Sequence, residues 1–287
     1  MLEMKKETLR IAAAYEPQSR DETARALQEL WSQVPSTGGG AFLIKAEVRE
    51  EFKALGVPVP VLRDMGKEIG KMARKRVDDF LPLARGLWDG YGREGRLVAS
   101  TFLGGMELAA PQRVIPVIYR LAQTCVTWED CDQLAMSALE PVVRREPAQY
   151  LAALEPWVAD ANKWVRRAAI TVIGRLPMKH DMYTERCLRM VEPALGDDDP
   201  DVRRALSFAI RMGARGDPKA VSAFIRRQAH RTDPASIWVL CDAIRSMTKK
   251  FLPHFRDLLP VYEKWLTMVG AKSQRSVNSA IKVLRSP

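Results

Sequence analysis

The sequence predicts an all-α chain, a right-handed-type α-solenoid (superhelix) of antiparallel helix pairs with a basic concave face. Three observations predict it. Apolar residues recur at three- and four-residue spacing almost throughout, and period-2 alternation is hard to find. A segment repeats at an offset of 37 residues, the length of one stacked helix pair. Lys and Arg number 45 against 35 Asp and Glu, a net charge of +10, which favours polyanionic partners over acidic small molecules.

At 287 residues and 47% hydrophobic content the chain can bury a real core unaided. It is read as one repeat domain over 1–287. An N-terminal helical hairpin and Gly-rich loop occupy 1–40, a core occupies 41–247, and a helical cap occupies 248–287. The loop is Ser36-Thr37-Gly38-Gly39-Gly40. The start, with Lys5, Lys6 and Glu7, lacks the apolar stretch of a secretory signal, and no apolar run reaches about 18 residues. The expected location is therefore cytoplasmic, associated with the nucleoid if the partner is DNA, with no membrane contact. Cys125, Cys131, Cys187 and Cys241 lack C-x-x-C spacing and stand far from His180, His230 and His254. The expectation is reduced, buried thiols and no metal site or other cofactor.

The repeat is legible in two segments. Residues 160–174 read DANKWVRRAAITVIG and residues 197–211 read DDDPDVRRALSFAIR, each preceded by Glu-Pro. The offset is 37 from Pro156 to Pro193 and again from Arg167 to Arg204, near the period of HEAT-like and armadillo repeats. Thr127, Asn162, Asp199 and Asp233 have N-cap chemistry, Pro200 and Pro234 suit the first helical position, and Asp130 completes a capping box with Thr127. Counting from each cap, the seventh and eleventh positions are apolar: Leu134 and Ala138, Ala169 and Ile173, Leu206 and Ile210, Leu240 and Ile244. This i, i+4 stripe is the predicted buried seam.

The first, fifth and ninth positions form a second stripe, predicted to line one surface. It holds Trp128, Asp132 and Met136, then Lys163, Arg167 and Thr171, then Pro200, Arg204 and Phe208, then Pro234, Trp238 and Asp242. Arg166 with Arg167, Arg203 with Arg204, and Lys163 supply cations at repeat spacing, able to fork onto phosphate oxygens. The same arginines also suit pairing with an acid of the adjacent repeat, such as Asp160 or Asp197, and the residues alone leave both roles open. Asp132 stands where the next two repeats hold Arg167 and Arg204. A carboxylate is costly beside phosphates and useful where a positive charge must be met. Trp128 lies one turn before it on the same face, so an aromatic plane and an anion together describe a receptor for a cation. The opposing account makes Trp128 a core aromatic and Asp132 a solvated or salt-bridged residue near a helix start.

The stretch Trp128–Asp132, followed about 35 residues later by Trp164-Val165-Arg166-Arg167-Ala168-Ala169-Ile170, resembles the AlkD-like DNA alkylation repair family. The segment Gly56-Val57-Pro58-Val59-Pro60-Val61-Leu62-Arg63 is similar to that family's early Gly-x-x-x-Pro-x-x-Arg turn. The resemblance runs from about residue 43 to about residue 247. It implies a monofunctional DNA glycosylase of base excision repair that hydrolyses the N-glycosidic bond of cationic N3- or N7-alkylated purines in duplex DNA, without a base-flipping pocket. By the same resemblance Asp132 is the catalytic carboxylate, Trp128 stacks on sugar or cationic base, and Arg167 holds a phosphate beside the lesion. Phe208 and Trp238 are expected at the lesion, with a packing role for Trp238 as the alternative, and the cation spacing above puts Lys163, Arg166, Arg203 and Arg204 on the DNA backbone. Phe208 departs from the family, which usually has tryptophan there. The expected form is a monomer. Two alternatives stand: a non-catalytic HEAT-repeat protein that binds DNA by shape and backbone, and a protein-binding HEAT scaffold.

Overall fold

The computed structural model describes residues 2–36 and 52–286. Thr37–Gly40 of the predicted loop and position 43, where the resemblance starts, lie outside them. Among the described residues every regular element is a helix. The chain divides into two compact units, Met1–Arg145 and Glu146–Pro287.

The first unit holds α1 (Leu2–Ala13), α2 (Arg20–Ser32), α3 (Val59–Ala73), α4 (Val77–Gly90), α5 (Gly92–Glu107), α6 (Pro111–Ala122), α7 (Trp128–Leu134) and α8 (Glu140–Arg145). A π-helical turn, Ala135–Leu139, joins α7 to α8. Helix α1 packs on α3, α3 on α5, and α5 on both α7 and the π turn; α2 packs on α4 and α4 on α6. The two rows enclose Trp31, Leu62, Phe80, Trp88 and Phe102, all buried. Full burial of an apolar side chain of this size contributes about 1.5–3 kcal/mol. The tightest backbone approach at a described glycine falls where α5 meets the π turn. A Cβ on Gly104 of α5 would sit 1.9 Å from the Ser137 carbonyl oxygen in the π turn.

The second unit holds α9 (Lys163–Arg175), α10 (Thr184–Val191), α11 (Pro200–Gly213), α12 (Pro218–Arg227), α13 (Pro234–Arg245), α14 (Leu259–Met268) and α15 (Ala271–Leu284). Its main row runs α9 on α11, α11 on α13 and α13 on α15. Behind it α10 packs on α12, and α12 on the 3-10 segment Lys249–Leu258. The four predicted caps form. Thr127 Oγ1 accepts from the Asp130 N–H at 3.3 Å, Asn162 Oδ1 from Trp164 at 2.8 Å, Asp199 Oδ1 from Asp201 at 2.8 Å, and Asp233 Oδ1 from Ser236 at 2.8 Å. Each satisfies a backbone donor that the first helical turn leaves unpaired. The predicted seam is buried at all eight positions, Leu134 and Ala138 through Leu240 and Ile244.

Side chains tie neighbouring helix pairs together at nearly the offset seen in the sequence. In the first unit Trp88 Nε1 donates to Thr124 Oγ1 across 36 positions, and Arg93 reaches Glu129 across 36. In the second, Lys163 reaches Asp201 across 38, Ser207 reaches Asp242 across 35, and Gln228 reaches Glu192 across 36. The period therefore organises the first unit as well, where the sequence reading aligned only the segment from Thr127 to Ala138.

Candidate active site

Helix α7 is held by three arginines, Arg93 and Arg96 of α5 and Arg63 of α3. Arg93, 2% exposed, forks onto Glu129, with Nε to Oε2 at 2.6 Å and Nη2 to Oε1 at 2.9 Å. Arg96 Nη1 meets Asp130 Oδ2 at 2.5 Å, and that carboxylate also accepts the backbone N–H groups of Val126 and Thr127. Arg63 Nη2 donates to Gln133 Oε1 at 2.9 Å. Burial works against the Arg93 charge, but Glu129 and Glu94 outweigh it and hold the guanidinium protonated, above its ordinary pKa. Bidentate charge-assisted bonds of this type fix direction as well as energy.

The turn that supplies Arg63 is fixed by the same cluster. Gly56 has φ +79°, a backbone region that favours glycine. The buried Glu94 carboxylate accepts the N–H groups of Leu55, Gly56 and Val57 at 3.1, 3.0 and 3.2 Å. Arg93 Nη1 also donates to the Val57 carbonyl at 3.0 Å.

With Glu129, Asp130 and Gln133 engaged and Cys131, Leu134 and Ala135 buried, α7 is left one open face. Trp128 on that face is 39% exposed, and Asp132, one turn on, is half-buried. Residues at i and i+4 sit about 6 Å apart at Cβ. Asp132 lies in the second turn of the helix, directly after the turn that Trp128 opens. An open indole beside a carboxylate can take a flat or cationic group: the ring face attracts positive charge, and the carboxylate neutralises it.

The sequence reading named Arg63 and the Asp130 capping box but missed Arg93, Arg96, Glu129 and Gln133, and with them the contacts that hold α7. Their one signal is spacing: Arg93 stands 36 positions before Glu129 and Arg96 stands 34 before Asp130, close to the repeat offset.

In the second unit the predicted backbone contacts are largely engaged with the protein itself. Lys163 Nζ lies 3.4 Å from Asp199 and 3.2 Å from Asp201. Arg166 pairs with Asp197 at 2.7 Å and donates to the carbonyls of Asp160 and Ala161. Arg167 is 6% exposed and donates to the Asp201 carbonyl at 2.6 Å, and Thr171 after it is buried. The second stripe thus turns inward on α9, where it stays at least partly open on α7, α11 and α13. Arg204 is exposed and meets Asp201 at 3.1 Å. Exposed pairs such as this contribute only about 0–1 kcal/mol, so Arg204 and Lys163 can exchange partners cheaply. A phosphate contact by Arg166 or Arg167 would require either to leave these protein partners.

Arg203 stacks over Trp238 at 5.6 Å, and its Nε is buried without a hydrogen-bond partner. Phe208 and Trp238 are both half-buried on the open stripe. The Arg211 guanidinium lies 5.7 Å from the Phe208 ring, and its pKa is lowered by burial. Asp242 accepts from Ser207 at 2.6 Å and pairs with Arg245. Arg166 additionally borders a cleft of about 740 Å³ whose lining includes Arg186, Arg189 and Met190.

All four cysteines are buried, and burial pushes Cys187 and Cys241 up to about 12. Among the described residues no group of His, Cys, Asp and Glu is arranged to hold a metal, and no helix is long and apolar enough to cross a membrane.

No curated protein matches the chain closely enough to count as a relative. Residues 26–247, however, match the family described as DNA alkylation repair enzyme. The match starts inside α2, earlier than the 43 expected from the motifs, and ends two residues after α13. The span includes the Gly56–Arg63 turn, the whole of α7 and the arginine-bearing helices α9 and α11. The chain belongs to the DNA alkylation repair enzyme family.

Proposed function

We propose that the chain is a monofunctional DNA glycosylase that hydrolyses the N-glycosidic bond of N3- and N7-alkylated purines in duplex DNA. The observation that carries this reading is the single open face of α7, where an exposed indole and a half-buried carboxylate stand one turn apart in a repair-family chain. Such purines are already cationic, so the base leaves without being protonated. The remaining task is to stabilise the oxocarbenium-like sugar as the C–N bond breaks. Asp132 supplies the negative charge and positions the attacking water. Trp128 stacks on the sugar or the cationic base. No lysine stands beside Asp132 on the stripe, so hydrolysis proceeds without a Schiff base.

The helix pairs are read as HEAT-like repeats. Lys163, Arg203 and Arg204 grip the DNA backbone from the second unit. Arg166 and Arg167 chiefly hold its repeats in register, while Phe208 and Trp238 offer aromatic faces toward the lesion.

The test is release of 7-methylguanine or 3-methyladenine from methylated duplex. Asp132→Asn keeps shape and removes charge, and release should fall about a hundredfold or more. Unchanged release in that variant removes the assigned role. Phe208, smaller than the tryptophan usual in the family, motivates the second reading, a shape-reading DNA binder without catalysis. Under it the wild type frees no base, yet its affinity still falls steeply with salt.

A further inference from the structure

The family match stops at residue 247, but the fold of the second unit does not. Helix α15 packs on α13 just as α13 packs on α11. The side-chain ties keep their spacing. Trp265 Nε1 donates to the Arg231 carbonyl across 34 positions, and Ser222 reaches Asp257 across 35. Tyr262 Oη, buried, donates to the Leu240 carbonyl at 3.0 Å. Residues 248–286 therefore form one more rung of the row that carries Arg203, Arg204 and Trp238.

That rung holds most of the chain's excess charge. Eight basic residues stand against Asp257 and Glu263, a net +6 of the total +10. Helix α15 contains no carboxylate at all. Its buried side is Val277, Ala280, Ile281 and Leu284. Its open side presents Gln274, Arg275, Asn278 and Lys282, all exposed. Arg285, just beyond, pairs with Glu263, and Arg256 donates to the Ser286 carbonyl. Arg275 and Lys282 are seven positions apart, two helical turns along one face.

We propose that this terminal rung is a second phosphate-binding surface, gripping the duplex backbone outside the lesion. The inference rests on the DNA reading above and extends it to residues beyond the family match. A face of cations and amides without acids suits a string of phosphates. The apolar side of α15 is buried, so it has no face to insert into a bilayer. Among the described large apolar residues of the rung only Met268 is exposed, which denies a protein partner the aromatic or aliphatic anchors that interfaces need.

The test uses the full chain, undamaged duplex DNA and the variant Arg275→Gln/Lys282→Gln. Both positions are exposed and glutamine favours helix, so thermal melting should be unchanged. The slope of log affinity against log salt should become shallower by about 1.8, near 0.9 for each phosphate that is no longer neutralised. An unchanged slope overturns the proposal. So does an equal change in Lys6→Gln/Arg25→Gln, because net charge and not this face would then set the slope. Loss of binding to phosphatidylserine vesicles with the duplex slope intact assigns the face to a membrane and also overturns it. Base release from methylated DNA is scored separately, so a wild type that frees no base sinks the glycosylase reading and leaves this result standing.

Discussion

The guanidinium of Arg93 grips both carboxylate oxygens of Glu129, the residue that follows the exposed Trp128. The pair is buried, and it sets the direction in which α7 presents its open face. Trp128 and Asp132 are thus aimed by a pair that is itself buried.

Removing one partner of this pair leaves an uncompensated buried charge. Arg93→Met should lower unfolding stability by about 3–5 kcal/mol, measured by chemical denaturation. If the glycosylase reading holds, base release should fall with it even below the melting transition, because α7 loses its orientation. Arg96→Met should act in the same direction through Asp130, which it meets at 2.5 Å.

Gly104 is the position where α5 touches the π turn. An added methyl would overlap the Ser137 carbonyl, which belongs to backbone and cannot rotate aside. Gly104→Ala should cost about 1–3 kcal/mol in thermal or denaturant unfolding. It should also disturb α7, whose last turn runs directly into that segment.

Glu107 closes α5 with a fully buried carboxyl that makes no well-formed hydrogen bond, only a weak approach to the Val142 backbone. Burial raises its pKa from 4.5 to about 9, so it is neutral at physiological pH. Between those values the folded chain holds a proton that the unfolded chain has lost. Stability therefore falls as pH rises through that window, by up to about 1.4 kcal/mol per unit. Glu107→Gln should flatten this dependence, and melting temperatures from pH 5 to pH 9 check it.

Phe208 offers a ring face on the open stripe of α11, smaller than an indole and without its N–H. If the glycosylase reading holds, Phe208→Trp should raise the rate of base release severalfold, by about 0.5–1 kcal/mol of added cation–π contact. Single-turnover release from methylated duplex measures it.

Much of the fold was legible because helix periodicity and capping are local. Thr127, Asn162, Asp199 and Asp233 announce helix starts by their own chemistry, and the seam from Leu134 to Ile244 follows from counting. The stripe containing Trp128 and Asp132 follows from the same count. The supports were not legible. Arg93 and Glu129 meet across 36 positions through a buried bidentate contact, and composition treats both as surface charges. Arg167 illustrates the opposite failure. Its stripe position suggests an open cation, whereas the neighbouring repeat supplies the Asp201 carbonyl that draws it inward. Nor do the letters reveal the π turn, which meets α5 at Gly104.

Tyr262 and Trp265 plug the outer flank of α13 with two buried rings, 5.0 Å apart and edge-on. A fragment trimmed to the span that defines the family would strip away this stopper and leave the Leu240 and Arg231 carbonyls to water, with Ile237, Leu240 and Ile244 next to a bare side. Such a fragment would be a stack without its end plate, prone to stick to its own copies, and the last forty residues are as much a condition for solubility as for any grip on DNA.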